Sequence, residues 1–135
     1  MLYQRVKGTR DILPSEVHQW QFLENFLREY FKHNNYKEIR TPAFEVTELF
    51  TRSIGGDTDV VSKEMYTFLD KGGTSITLKP ELTAPVMRAY IQNNLEQIAP
   101  LTKVYYIDSL FRQERPQKGR LRQFHQFGFE IIGSP

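Results

Sequence analysis

Apolar side chains recur at helical spacing through Val17, Trp20, Leu23, Leu27 and Tyr30, while Glu24, Arg28 and Lys32 fall mainly on the other side. That period predicts an amphipathic helix. Ser15 is positioned as its N-cap, Glu16 suits the first turn, and Asn34-Asn35 ends it. Tyr36 to Thr41 predicts a short strand, which Pro42 confines to an edge or an end because proline donates no ladder hydrogen bond. Thr47 to Ile54 predicts a short helix, stopped by Gly55-Gly56. Met65–Leu69 and Ser75–Leu78 flank Asp70-Lys71-Gly72-Gly73 as a hairpin. Thr83 is the expected cap of another helix, with Pro85 in its first turn and Val86, Ala89 and Tyr90 along one face. Strands are expected at Val104–Ile107, Leu110–Arg115 and Leu121–Ile132, the last two around Pro116-Gln-Lys-Gly-Arg120. Hairpins outnumber strand–helix–strand units, so the reading is an α+β domain with a mainly antiparallel sheet flanked by helices.

Composition narrows the class. The 135 residues are enough for one domain with a core, and 39% hydrophobic with 25% charged residues is ordinary for a soluble chain. No apolar run approaches the roughly 20 residues of a membrane helix. The first residues lack the apolar core of a secretory signal. Cysteine is absent, which excludes disulfides and thiolate metal sites and fits a cytoplasmic protein without membrane partners. The net charge of +2 identifies no partner, but basic residues crowd towards the C-terminal end. The chain stops in Glu-Ile-Ile-Gly-Ser-Pro after a strand-like run, from which continuation into more protein is expected.

The chemistry concentrates between Phe111 and Glu130. Strand alternation puts Phe124, Gln126, Gly128 and Glu130 on one face, and His125, Phe127, Phe129 and Ile131 on the other. The second set reads as core. The first is a ring, an amide, a gap and a carboxylate, suited to a ligand floor in which Gly128 leaves room between Gln126 and Glu130. Arg112 and Glu114 would join that floor if the two strands pair. A nucleotide needs such parts: a guanidinium for phosphate, a ring for stacking and a polar group for the base edge. Lys118 and Arg120 lie in the connecting loop, within reach of terminal phosphates or a nucleic-acid backbone. The pattern equally describes a solvated basic loop beside a buried Phe124, and alternation alone does not choose. Glu130 inside Phe-Gly-Phe-Glu-Ile-Ile is the sharper signal, because a carboxylate there calls for a partner or a ligand. No Walker-type glycine loop is present.

The string FRQERPQKGRLRQFHQFGFEIIG closely resembles the second signature motif of class II aminoacyl-tRNA synthetases in its histidyl form. KGTRDILP, EIRTPAFEVTELF, KEMYTF and ITLKPELTAP precede it in family order, so the resemblance covers essentially the whole chain. It implies an antiparallel catalytic core that activates L-histidine with ATP and Mg2+ and acylates tRNA-His. Under it, Arg112 is catalytic, holding the α-phosphate. Glu114 meets the adenine edge, Phe124 stacks on adenine, and Arg120 reaches the outer phosphates. Gln126 and Glu130 bind histidine, with Glu81 and Thr83 near its α-amino group. Thr83 as helix cap alone is the competing reading. His125, facing the other way, is not assigned to catalysis, and no protein metal site is expected.

EIRTPAFEVTELF resembles the family's first motif, which implies a homodimer around Pro42. Residues 1–135 then correspond to the N-terminal part of the catalytic domain, without the third motif or the anticodon-binding domain, and alone should react poorly. Leu82 stands where the family usually has glycine, which puts the shape of the amino-acid pocket in question. Two alternatives share this fold: a regulatory subunit of ATP phosphoribosyltransferase, which typically loses parts of the ERPQ…RQFHQ string, and a catalytically incompetent fragment.

Overall fold

A computed structural model describes residues 2–54, 64–113 and 120–134. The first amphipathic stretch forms α1 (Val17–His33). No side chain caps it, so Ser15 does not play the expected part. The Leu13 carbonyl instead accepts from the backbone N–H groups of Glu16 and Val17. The Glu16 carboxylate turns back to Arg10 at 2.8 Å. The buried stripe is also narrower than the period suggests. Leu27 and Phe31 are buried, whereas Leu23 and Tyr30 are largely exposed. One strand supplies most of the helix's cover: Phe31 stacks on Tyr105 at 4.6 Å, with Tyr36 and Ile107 around them.

Among the described residues, two three-stranded sheets follow. The first has the order β1 (Lys37–Glu38), β5 (Leu101–Phe111), β6 (Gln123–Gly133). The second has the order β2 (Phe44–Val46), β4 (Ser75–Leu78), β3 (Thr67–Leu69). Between them in sequence lie α2 (Thr47–Ile54) and α3 (Thr83–Gln92). Pairing is antiparallel except for β1, which runs parallel to β5. The fold is therefore α+β, as expected. In the β3–β4 turn, Asp70 Oδ1 accepts from the N–H groups of Gly72 and Thr74, both at 2.9 Å, and Gly73 takes the left-handed φ of 85° that glycine tolerates.

The two strands expected at Val104–Ile107 and Leu110–Arg115 are one strand, β5. Asp108-Ser109 does not interrupt it, because the Asp108 carboxylate has partners: the Lys79 ammonium and the Ser109 N–H. Lys79 is only 2% exposed and ties the sheets together. Its ammonium also donates to the Thr41 carbonyl, its N–H donates to Ala43 O, and its own carbonyl accepts from Phe111 N–H.

The larger buried cluster lies on the face opposite to the one expected. Val104, Tyr106 and Leu110 pack with Leu82 and Val86, and Phe124 and Ile132 of β6 join them. Phe127, Phe129 and Ile131, read from sequence as core, remain about half exposed. α1 reaches only part of that face, placing Trp20 4.6 Å from the His125 ring and Phe31 6.1 Å from the Phe129 ring. Among the described residues, no helix is long and apolar enough to cross a membrane.

Candidate active site

The β5–β6 register sets Val104 opposite Glu130, Tyr106 opposite Gly128, Asp108 opposite Gln126 and Leu110 opposite Phe124. Phe124, Gln126, Gly128 and Glu130 therefore share one face with Tyr106, Asp108 and Leu110. Arg112 follows directly after β5. Its N–H donates to Arg122 O and its Nε to Pro80 O, each at 2.9 Å. Its guanidinium carbon stands 5.5 Å from the centre of the Phe124 ring. A cation is thus anchored over an aromatic platform by a backbone carbonyl, so little of its orientation is left to be fixed by a ligand. Arg120 is exposed at the return of the loop. Glu114 and Lys118 lie outside the described residues.

A carboxylate cluster lies where α3 begins. Glu81 Oε2 accepts from Thr83 N–H at 2.6 Å, and both Glu81 oxygens accept from Ala84 N–H at 3.1 and 3.2 Å. Glu81, not Thr83, therefore caps α3. The backbone cap position belongs to Leu82, and Thr83 is already helical. That leaves the Thr83 hydroxyl free to donate to Glu130 Oε1 at 2.9 Å. Burial raises the pKa of Glu81, the two backbone N–H bonds oppose this, nearby Glu130 raises it further and Arg112 lowers it. Two acidic side chains close enough to feel each other, with a guanidinium near, match a ligand carrying an ammonium at one end and an acid at the other.

One expectation about shape needs correction. The space above Gly128 is not open. A Cβ built there would meet Tyr106 at 2.8–3.0 Å, because the tyrosine ring crosses from the neighbouring strand. Leu82, whose bulk put the pocket's shape in question, has its side chain buried in the core with Val86, Val104 and Tyr106. Gln126 is exposed. His125 faces Trp20, away from the carboxylates, while His18 and His33 are exposed on α1. A cleft of about 660 Å³ also opens on the α1 side, between Trp20, Leu27, Ile107 and His125. It reaches Phe124 and Gln126, but Glu81, Arg112 and Glu130 do not line it, so the charged cluster is the better candidate on chemical grounds.

Sequence reasoning missed Tyr106, whose hydroxyl donates to Glu130 Oε1 at 3.0 Å, and the Lys79–Asp108 pair. A tyrosine two strand positions from an aspartate carries no local sign of its partner. The lysine in Ile-Thr-Leu-Lys-Pro-Glu did give one, being a charge in a mainly apolar run. No three His, Asp or Glu side chains converge for a metal among the described residues.

Residues 8–135 match the protein-family model for histidyl-tRNA synthetase. A histidine–tRNA ligase of Chloroherpeton thalassium is 58% identical over 135 residues, covering 99% of this chain and 32% of that protein. A histidine–tRNA ligase of Thermoanaerobacter pseudethanolicus is also 58% identical, over 134 residues, covering 99% of this chain and 32% of that protein. The chain thus spans about a third of the length of the curated relatives it matches. The structure of apo S. aureus histidyl-tRNA synthetase superposes with a TM-score of 0.81 at 44% identity, covering 98% of this chain and 30% of that one. A Bacillus halodurans structure described as an ATP phosphoribosyltransferase regulatory subunit/histidyl-tRNA synthetase has a TM-score of 0.80 at 23% identity, covering 99% of this chain and 33% of that one, a likeness of fold alone.

Proposed function

The chain belongs to the histidyl-tRNA synthetase family, and we propose that it supplies the ATP- and histidine-binding hairpin of a histidine–tRNA ligase. The observation that carries this reading is a guanidinium, an aromatic ring and two carboxylates gathered on one face. Arg112 is fixed beside Phe124 by the Pro80 carbonyl, and Glu81 and Glu130 are gathered at the start of α3. ATP lies along Phe124, with adenine on the ring, Glu114 at the adenine edge, and Arg120 towards the outer phosphates. Histidine lies towards Gln126 and Glu130, with its α-amino group near Glu81 and Thr83.

In that arrangement a histidine carboxylate oxygen attacks the α-phosphorus in line, the bond to the bridging oxygen breaks, and pyrophosphate leaves. Arg112 stabilises the charge that develops on the α-phosphate. A ribose hydroxyl at the end of tRNA-His then attacks the histidyl carbonyl, and AMP leaves. No protein nucleophile is required, and catalysis is positioning plus electrostatics. Mg2+ comes with the triphosphate. On this reading the third motif and the anticodon-binding domain lie outside residues 1–135.

A homodimer and a cytoplasmic location are part of the same proposal. Phe44, Val46 and Phe68 form a half-exposed apolar face on the small sheet, within and beside the first-motif segment, which supports a covering subunit. The retained ERPQ…RQFHQ string favours the ligase over a regulatory subunit of ATP phosphoribosyltransferase. The test is ATP–pyrophosphate exchange in a full-length protein in which this chain replaces the matching third of the Chloroherpeton relative. Histidine-dependent exchange should fall by about 10²–10³-fold in Arg112→Ala. Absence of histidine-dependent exchange, with binding to a phosphoribosyltransferase subunit instead, overturns the reading.

A further inference from the structure

We propose that Tyr106 is a positioning residue for histidine, seated by Gly128, that turns one oxygen of Glu130 inwards and leaves the other for the substrate. The inference rests on the ligase reading and names a residue that reading does not use.

Tyr106 and Gly128 are direct cross-strand partners. Any side chain at position 128 would begin 2.8 Å from Tyr106 Cε1 and 2.9 Å from its hydroxyl. Glycine is what allows the ring to lie across β6, and that position carries the hydroxyl to Glu130. There Oε1 accepts from the Tyr106 hydroxyl at 3.0 Å and from the Thr83 hydroxyl at 2.9 Å. No described residue donates to Oε2. One carboxylate oxygen is thus held by two donors from different elements, β5 and α3, and an incoming N–H group finds the other.

The arrangement is rigid where it needs to be. The Tyr106 ring is packed with Leu82, Val86, Val104 and Leu110, so its hydroxyl has little freedom. Its pKa is pushed up to about 12, first by burial and then by Glu130, so it remains a donor across the working range of pH. A hydroxyl bonded to a carboxylate belongs to the stronger, charge-assisted class of hydrogen bond. Removing it frees the Glu130 side chain to rotate and offers the substrate a poorly aimed acceptor. Leu82, buried against the same ring, helps to fix the tyrosine from the helix side.

The test is steady-state exchange in the full-length chimaera, with folding followed by thermal melting. Tyr106→Phe keeps the ring and removes the hydroxyl. It should raise the KM for histidine roughly tenfold, equivalent to about 1.4 kcal/mol at 25 °C, with little change in the KM for ATP. Gly128→Ala, which displaces the ring, should do the same. In a Glu130→Gln background, Tyr106→Phe should have a much smaller effect, which a general packing role would not predict. A histidine KM within twofold of the parent, an equal rise in the ATP KM, or additivity with Glu130→Gln overturns the proposal while leaving the ligase reading intact. Loss of histidine-dependent exchange in the unsubstituted chimaera removes the ligase reading and this inference together. Should Tyr106→Phe fail to fold, Gly128→Ala, which moves the same ring, should raise the histidine KM in the same selective way, and an unchanged KM there overturns the proposal equally.

Discussion

The two sheets solve opposite problems. In the β5–β6 hairpin the face with chemistry is also the face with core: Leu110 and Val104 are buried within the same surface that carries Glu130. In the small sheet the inner face is polar. Glu45 is buried and bonded by two nitrogens of Arg88 at 2.8 and 2.9 Å, and the hydroxyls of Thr47, Ser75, Thr67 and Thr77 bond one another in a chain. Its outer face carries Phe44, Val46 and Phe68, half exposed. The difference teaches that burial inside this chain is a poor guide to what the intact protein buries. The hairpin is finished on its ligand side from within, whereas the small sheet puts its apolar side outwards, where another surface would have to cover it.

Lys79 is where the comparison can be broken most severely, because it joins the two sheets. Its ammonium is buried against the Asp108 carboxylate and the Thr41 carbonyl. Asp108→Ala would strand that charge, and a loss of about 3–5 kcal/mol is expected for breaking such a pair. Urea unfolding of the chain measures it. The double variant Lys79→Met/Asp108→Leu, which removes both charges, should recover most of the loss. If Asp108→Ala costs less than about 1 kcal/mol, the sheets are not held together at this point.

The next effect concerns the outer face of the small sheet. Val46→Lys with Phe68→Lys places charge where the proposed homodimer would close. The expected outcome is a shift from dimer to monomer by analytical ultracentrifugation of the full-length protein, with little change in the unfolding midpoint of the monomer. A dimer that survives both substitutions would mean that this face is covered by something other than a second copy.

Much of this was legible from period and turn chemistry. The alternation that groups Phe124, Gln126, Gly128 and Glu130 depends only on the two-residue repeat of a strand, and it is what the register gives. α2 and β4 fall where the pattern predicts them. Which face would be buried was not legible, because alternation separates faces without saying what covers each. The reversal of core and exposed sides on β6 followed from α1 reaching only Trp20–His125 and Phe31–Phe129. The capping role went to Glu81 because a carboxylate two positions before Thr83 can reach two N–H groups at once, and a single-residue cap rule does not look that far back. Tyr106 was hidden for a different reason. Its meaning lies in what stands across the strand, and register between positions so far apart is not written locally.

The smallest effect sharpens the hairpin side of the comparison. Glu81 is a carboxylate whose pKa is raised above its ordinary value of 4.5 by burial, although it caps α3. A group with a raised folded-state pKa gives its stabilising contribution in full below the unfolded value and loses it as pH rises through the folded one. Keeping Glu81 ionised therefore costs stability at neutral pH, offset by the bonds to Thr83 and Ala84. Glu81→Gln retains an oxygen for the cap and removes the charge. Its stability relative to the parent should improve as pH rises from below 4.5 towards neutrality. Urea midpoints of both proteins across that range measure this, and a difference that stays flat, or turns the other way, would show that the cap bonds outweigh burial and that the acidic end of the site is held without strain.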